Sequence, residues 1–343
     1  MTSKPFVADD IVDLTNHVAI VTGGNRSIGL ETTYLLLRKN CTVWIAGRSP
    51  SGLDEAKKTL SARADISEDM LSRLFFLSLD LSEMKKARLS AQSFEREHSG
   101  RLDIVIANAG VSLQRSDEIS SDGYEKTMQT NHLGHFAFIM GLLPLLEKTA
   151  REHGKASVVM TSSDAHAFAK DGIDFESLKT SKPHRGFRGL GDGFKRYGAS
   201  KLANMLFARE LDKRWAEPLR KSGVLVAANC AHPGTILNTG LGGNGEDWGI
   251  PGFVNRIVRA SSYIFGFSTL EGAMTQIYVA TSPEIWSTED HGRYYVPVTT
   301  WRGRYYSSRA QKPDTKWGED DELAAKLWEF SEDALKKAIG ESD

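Results

Sequence analysis

Seven short apolar runs alternate with stretches of helical spacing along this chain, and this alternation most constrains its fold. The runs are nearly continuous in apolar character, which is typical of strands covered on both faces. They lie at residues 18–22, 42–46, 74–79, 103–107, 157–161, 224–229 and 293–298. Helical spacing fills residues 28–39, 54–61, 83–97, 131–151, 195–215, 269–281 and 320–338. The alternation predicts an α/β fold with a doubly wound parallel sheet of about seven strands and helices on both faces.

The 343 residues suffice for one large α/β domain, and neither a linker nor an internal repeat divides them. We therefore expect a single domain over residues 1–343. Two long irregular segments interrupt the alternation: a glycine-rich insert at about 165–194 and an aromatic loop at about 238–267, which we expect to cover substrate. A helical extension is expected at about 318–343.

Charge and composition exclude several classes of partner. Lysine and arginine number 43 against 44 acidic residues, so no basic field exists to attract nucleic acid or an anionic membrane. Cys41 and Cys230 are the only cysteines, and their apolar surroundings predict buried reduced thiols. Residues 1–13 carry no apolar signal core, and no apolar stretch approaches the ~20 residues of a membrane span. We expect a cytoplasmic protein.

A glycine-rich turn follows the first strand and leads into a helix, in the run Thr22-Gly23-Gly24-Asn25-Arg26-Ser27-Ile28-Gly29. Glycines at such a turn let the backbone approach a pyrophosphate, and the helix N-terminus supplies N–H groups and a positive dipole. The turn predicts a dinucleotide site and makes the expected sheet Rossmann-type.

The end of the second strand indicates which dinucleotide binds. NAD sites usually place an acid here to accept a hydrogen bond from the ribose 2′-hydroxyl. This chain has Gly47 and Arg48 instead, and Arg26 lies in the glycine turn. A guanidinium suits a 2′-phosphate, so we predict NADP(H) as cofactor.

Tyr197 and Lys201 stand four residues apart, on one face of a predicted helix. A free tyrosine has a pKa of about 10 and exchanges protons poorly at neutral pH. A nearby ammonium favours the ionised phenol, so Lys201 is expected to lower the pKa of Tyr197.

The combination of motifs resembles the short-chain dehydrogenase/reductase family, and most closely its retinol-dehydrogenase-like branch. The motifs follow the family's order over nearly the whole chain. They are the glycine turn, Asp80-Leu81-Ser82, Asn108-Ala109-Gly110, Thr130-Asn131-His132-Leu133-Gly134-His135-Phe136, Ser162-Ser163-Asp164-Ala165-His166, Tyr197 with Ser200-Lys201-Leu202-Ala203-Asn204, and His232-Pro233-Gly234.

The resemblance implies catalytic roles for four matching residues. Tyr197 is the general acid in carbonyl reduction and the base in alcohol oxidation. Lys201 tunes it and holds the nicotinamide ribose, and Ser163 hydrogen-bonds the substrate oxygen. Asn131 holds a water that links Lys201 to solvent.

The resemblance also implies a set of cofactor contacts and an assembly. The cofactor contacts are Gly23, Asn25, Arg26, Ser27, Ile28, Gly29, Arg48, Asp80, Leu81, Asn108, Gly110, Tyr197, Lys201, Pro233, Gly234 and Thr235. Family members often form homodimers through the helices matching residues 131–151 and 195–215, and here the insert or the extension could block that pairing.

Three departures from the family pattern stand out. Ser27 replaces the usual glycine, and its hydroxyl either donates to a phosphate or crowds the turn through its Cβ. The 33 residues 164–196 separate Ser163 from Tyr197, more than in most members. After Gly234 the family's threonine is shifted, which leaves Asn238 or Thr239 as the candidate contact.

Two other chemistries are poorly supported. The histidines, including those at positions 132, 135 and 166, show no metal-ligand spacing, and Ser163 lacks the nucleophile-elbow pattern of hydrolases. The sequence therefore predicts an NADP(H)-dependent oxidoreductase that interconverts a carbonyl and an alcohol on a moderately apolar small molecule. The alternatives are a non-redox enzyme of the same fold, such as a dehydratase or isomerase, and a cofactor-binding sensor without turnover.

Overall fold

The computed structural model of the protein describes residues 5–98, 100–112, 119–180, 186–236, 267–288, 291–300 and 304–341, and the side chains of 186–190 are not described. Eight strands form one sheet in the order β3-β2-β1-β4-β5-β6-β7-β8. They are β1 Val18–Thr22, β2 Thr42–Gly47, β3 Leu74–Ser78, β4 Ile104–Ala107, β5 Lys155–Thr161, β6 Leu225–Ala231, β7 Tyr294–Thr299 and β8 Tyr305–Ala310. The first seven are parallel and β8 pairs antiparallel with β7. The predicted α/β fold is confirmed.

The helices connect consecutive strands and cover both faces of the sheet. They are α1 Ser27–Arg38, α2 Ser51–Ser61, α3 Glu68–Ser72, α4 Met84–Glu97, α5 Lys126–Met128, α6 Gly134–His153, α7 Gly186–Leu211, α8 Glu217–Lys221, α9 Thr269–Thr281, α10 Pro283–Trp286 and α11 Asp321–Ile339. A π-helical turn, Gln129–Leu133, joins α5 to α6. Over the described ranges, no helix is long and apolar enough to cross a membrane.

Strand β4 shows how the two layers divide the core. Val105 points to one hydrophobic cluster, which includes residues of α4, α6, α7 and α11. Ile104 and Ile106 point to the other, which includes residues of α1, α2 and α9. Alternation of side chains along a strand requires both neighbours of Val105 to lie on the opposite face. Burial on both faces explains the continuous apolar runs in the sequence.

Two elements differ from the sequence-based prediction. Strand β8 was not predicted, because it lies at the sheet edge and mixes half-buried and exposed residues such as Tyr305 and Arg309.

Helix α7 begins at Gly186 rather than at residue 195, within the predicted insert. Its added turns contact the segment Asp164–Phe168: the rings of Phe194 and Phe168 are 5.0 Å apart. Such tertiary contacts outweigh the low helix propensity of glycine.

The C-terminal helix α11 covers part of the face formed by α6 and α7. The Trp328 ring lies 5.4 Å from that of Phe136 on α6 and 5.9 Å from that of Phe207 on α7. A buried hydrogen bond of 2.8 Å joins His132 Nε2 to Ser331 Oγ. These are the helices through which the resemblance implied pairing, so a homodimer formed there would have to accommodate or displace α11.

Trp328 should be the residue of α11 on which stability depends most. Its side chain is only 5% exposed, so Trp328→Ala leaves a large cavity and should lower the free energy of unfolding by about 3–5 kcal/mol. Denaturant unfolding followed by circular dichroism measures this. Glu329→Ala, an exposed neighbour on the same helix, is the control and should change stability by less than about 0.5 kcal/mol. Equal effects of the two substitutions would contradict the proposed packing of α11.

Candidate active site

A cleft of about 950 Å³ opens at the carboxyl ends of the parallel strands. In doubly wound sheets this edge is where ligands bind. Among the residues that the structure describes, those predicted from sequence to be catalytic or cofactor-binding all line the cleft, with the exception of Asn131. The structure therefore brings together residues from positions 23 to 235 of the chain.

The glycine turn between β1 and α1 leaves no room for side chains at its key positions. A Cβ on Gly29 would lie 2.2 Å from the carbonyl oxygen of Gly23, and Gly23 itself has a φ of +64°. The backbone can therefore approach a ligand in the cleft closely. This cradle at the N-terminus of α1 is suited to a pyrophosphate.

Ser27 adopts a conformation that suits glycine better. Its φ is +50°, in the left-handed region that costs a side-chain-bearing residue roughly 1–2 kcal/mol. Its hydroxyl is buried beside the cleft and has no hydrogen-bond partner. The structure thus bears on both parts of the sequence-based interpretation: the backbone at Ser27 is strained, and the hydroxyl is available to a ligand.

Both arginines predicted to bind phosphate line the cleft with exposed side chains, in the part beside the ends of β1 and β2 that we call the nucleotide end after that prediction. Arg48 follows β2, and Arg26 lies in the glycine turn. Burial alone would raise the pKa of Asp80, but hydrogen bonds from Ser82, together with Lys86 and Arg48, lower it. Sequence reasoning missed one acid here, the exposed Glu55 of α2, which also lines the cleft. Glu55 belongs to none of the motifs in the sequence, so its position in the cleft could not be predicted.

A buried hydrogen-bond network centred on Gln276 of α9 forms the floor of the cleft. Gln276 Nε2 donates to Asn108 Oδ1 at 3.0 Å and to Thr161 Oγ1 at 2.9 Å. Its Oε1 accepts from Thr32 Oγ1 at 2.7 Å, and Asn108 Nδ2 donates to the Thr22 carbonyl at 3.0 Å. Asn108 therefore holds the strand ends in place as well as lining the cleft. Gln276 was also missed, because its partners are distant in sequence.

Tyr197, Lys201 and Ser163 all line the cleft, in the part that we call the reacting end because these residues were predicted to be catalytic. Burial raises the pKa of Tyr197 to about 12, with Asp164 adding to the rise and the Ser163 hydroxyl partly countering it. The expected net fall of this pKa is therefore wrong for the structure described, because burial outweighs any stabilisation of the phenolate by Lys201. Its ammonium nitrogen lies 5.5 Å from the centre of the tyrosine ring and donates to the Thr161 carbonyl at 3.1 Å. Burial also lowers the pKa of Lys201, to about 8.

Asn131 lies behind the cleft, fully buried in the π-helical turn. Its side chain accepts from the Val111 N–H at 2.7 Å and donates to the Val111 carbonyl and to Ser200 Oγ, each at 2.9 Å. A Cβ on Gly110 would lie 3.1 Å from Asn131 Oδ1 and 3.7 Å from Lys201 Nζ, so the amide and the lysine flank one glycine. In this structure Asn131 fixes the backbone that borders Lys201.

His135 extends this buried network to the first strand. Its Nδ1 is 2.9 Å from the Asn131 carbonyl, and its Nε2 is 2.9 Å from Thr22 Oγ1, which accepts from the Ala109 N–H. Burial lowers the pKa of His135 to about 4, so the ring is neutral at pH 7. A neutral ring can donate through one nitrogen and accept through the other, as these contacts require.

Asp164, Phe168 and Phe194 also line this part of the cleft. Asp164 was not predicted as a site residue, whereas Phe168 and Phe194 lie in the insert that was expected to cover substrate. Asp164 follows Ser163 directly and accepts from its hydroxyl at 2.8 Å. The candidates Asn238 and Thr239, and the predicted substrate loop up to residue 266, lie outside the described residues.

The sequence is similar to known oxidoreductases along nearly its full length. A family model described as short chain dehydrogenase matches residues 17–173. The short-chain dehydrogenase/reductase drtF of Aspergillus calidoustus is 32% identical over 342 residues, covering 97% of this chain and 98% of that protein. An uncharacterized oxidoreductase of Schizosaccharomyces pombe is 33% identical over 337 residues, covering 96% of this chain and 88% of the yeast protein.

Solved structures agree with this similarity. An uncharacterized protein from Mycobacterium Paratuberculosis matches with a TM-score of 0.68 and 26% identity, covering 97% of this chain and 98% of its own. The Pseudomonas aeruginosa RhlG/NADP active-site complex matches with a TM-score of 0.54 and 25% identity, covering 82% and 94%. The chain belongs to the short-chain dehydrogenase/reductase family of oxidoreductases.

Proposed function

We propose that the protein is an NADP(H)-dependent ketoreductase or alcohol dehydrogenase that interconverts a carbonyl and an alcohol on a moderately apolar small molecule, with Tyr197 as acid and base. The observation that carries this proposal is the convergence of Ser163, Tyr197 and Lys201 in one cleft with the glycine turn. Two features of the turn fit a dinucleotide: the buried Ser27 hydroxyl without a partner, and a cradle at Gly29 that a Cβ would fill.

Each residue of the reacting end has a defined task in this proposal. The nicotinamide cofactor, when bound, supplies or accepts the hydride. Tyr197 is protonated at pH 7, since its pKa is about 12, and can give its phenol proton to the carbonyl oxygen of a substrate. Ser163 can donate a hydrogen bond to the same oxygen as its charge develops. Lys201, buried beside the tyrosine, stabilises the phenolate left after proton transfer.

At neutral pH Tyr197 holds the proton that carbonyl reduction requires. In reduction the tyrosine must begin as a proton donor, and a pKa of about 12 keeps the proton on the phenol. In oxidation the phenolate must form first, and burial of the ring opposes its formation. We therefore expect alcohol oxidation to become faster with rising pH.

Tyr197→Phe keeps the ring and removes the proton. Turnover of NADPH with a carbonyl compound should fall by at least about a hundredfold, the usual contribution of a general acid, while NADPH still binds. Absorbance of NADPH measures turnover, and fluorescence titration measures binding. Tyr306→Phe, on β8 away from the cleft, is the matched control and should keep activity. A Tyr197→Phe enzyme within tenfold of the parent would exclude this role.

Arg48 is proposed to bind the 2′-phosphate of NADPH, supported by its exposed side chain at the nucleotide end. NADPH should bind at least tenfold tighter than NADH, about 1.4 kcal/mol. Arg48→Ala should reduce the difference between the two affinities by weakening the binding of NADPH alone, as calorimetry can show. Arg309→Ala on β8 should leave both affinities unchanged. Because Glu55 lines the same end, equal affinities in the parent protein would instead favour NAD and an interaction of this carboxylate with the ribose.

A second candidate function is a nucleotide-binding sensor without turnover. The strained φ of +50° at Ser27 favours this candidate. Substitutions of Ser27 distinguish the sensor from the enzyme. If the hydroxyl donates to the pyrophosphate, Ser27→Ala loses a hydrogen bond of about 1.5–3 kcal/mol, at least a tenfold loss of NADPH affinity. Ser27→Gly should bind nearly as well as the parent, because it loses the bond but relieves the backbone. A tenfold gain for Ser27→Gly would mark Ser27 as a defect of the site and support the sensor.

A further inference from the structure

Asp164 places a negative charge at the reacting end of the cleft. Its Oδ1 accepts from Ser163 Oγ at 2.8 Å, and its Oδ2 accepts from Thr235 Oγ1 at 3.4 Å. The side chain is exposed and lines the cleft. Among the described residues no lysine or arginine forms an ion pair with it. A ligand at this end therefore meets a carboxylate that still has lone pairs to offer.

Two aromatic rings lie on the same side of the cleft. The Phe168 and Phe194 rings are 5.0 Å apart, and both side chains line the cleft. Phe168 is 47% exposed, an unusual state for a phenylalanine on a short turn next to a polar site. An apolar or aromatic group of a ligand would bury this surface.

The hydroxyl of Ser163 cannot serve Asp164 and a substrate at once. A serine hydroxyl has one proton, and in the described geometry it goes to Asp164, while the Ala165 N–H donates to the serine oxygen at 3.2 Å and the Tyr197 hydroxyl is a further partner of that oxygen. To donate to a carbonyl oxygen, Ser163 must release Asp164 Oδ1. A hydroxyl on the substrate can take the place that Ser163 leaves.

The distances set where that hydroxyl must be. If a carbonyl oxygen and Asp164 Oδ1 each lie within hydrogen-bond distance of Ser163 Oγ, the two oxygens are at most about 5.6 Å apart, which is twice a typical O–H···O distance. A hydroxyl on the carbon next to the carbonyl spans such a gap. We propose that Asp164 is a specificity-determining residue that accepts a hydrogen bond from a hydroxyl adjacent to the reacting carbon, in substrates whose apolar or aromatic body lies on Phe168 and Phe194.

This inference rests on the proposed carbonyl reduction and narrows its substrate class to hydroxy ketones and hydroxy aldehydes. When Ser163 donates to a ketone that has no hydroxyl, Asp164 loses the hydrogen bond from Ser163 and gains none from the substrate. A keto acid adds a second negative charge beside Asp164, and like charges at this distance repel. Both should therefore be poorer substrates than the hydroxy ketone.

Three aryl ketones of similar size test the proposal: 2-hydroxyacetophenone, acetophenone and phenylglyoxylate, each with NADPH and the full chain. In the parent protein kcat/KM should be at least about tenfold higher for 2-hydroxyacetophenone than for acetophenone, with phenylglyoxylate lowest. Asp164→Ala should reduce that ratio to within about threefold. Asp164→Asn, which removes the charge, should raise kcat/KM for phenylglyoxylate relative to kcat/KM for acetophenone. Asp171→Asn, an exposed acid outside the cleft, is the control and should leave the ratios unchanged.

Two results would overturn the inference while leaving carbonyl reduction intact. One is a parent protein that reduces acetophenone and its hydroxy derivative equally well. The other is an Asp164→Ala variant in which both substrates slow by the same factor, since Asp164 would then act only through Ser163. A parent protein that binds NADPH but reduces no member of a broad carbonyl panel would overturn the proposed function, and this inference with it.

Discussion

The buried side-chain amide of Gln276 links the helices and strands around the cleft. Gln276 joins α9 to α1 through Thr32 and to the ends of β4 and β5 through Asn108 and Thr161. Each of these polar groups would cost about 1–3 kcal/mol if it were buried without a partner, so none can move independently. The carbonyl of Thr161 in turn accepts from Lys201. A network that satisfies its members in this way is rigid, and it fixes the lysine relative to the glycine turn.

Burial then sets the charge of the reacting end. It keeps Tyr197 protonated, with a pKa of about 12, and it keeps His135 neutral, with a pKa of about 4. Lys201 retains its charge at pH 7, since its pKa falls only to about 8. Lys201 and Asp164 thus bring charged side chains of opposite sign to the part of the cleft that Tyr197 and Ser163 line. Ser163 contacts the carboxylate directly, and the ammonium lies 5.5 Å from the centre of the Tyr197 ring.

Local pattern was enough to predict most of the fold and the lining of the cleft. Continuous apolar runs predicted seven strands because burial on both faces leaves no polar alternation, and motif residues occupy the strand ends that define the cleft. Properties that arise from distant contacts could not be predicted. The spacing of Tyr197 and Lys201 suggested proximity but not the burial that raises the tyrosine pKa. Nothing in the sequence around Gln276 or Glu55 marked them, because their positions follow from folding of segments far apart in the chain.

Helix α11 has a consequence for the order in which the chain can fold. Its Trp328 covers Phe136 and Phe207, which are synthesised nearly two hundred and more than one hundred residues earlier. During translation these rings exist before the helix that shields them, so the surface of α6 and α7 stays uncovered until α11 has left the ribosome. Contacts between segments so far apart in sequence also slow folding, because long loops must close first. The nascent chain therefore exposes, for a time, an apolar surface that the folded protein covers with α11.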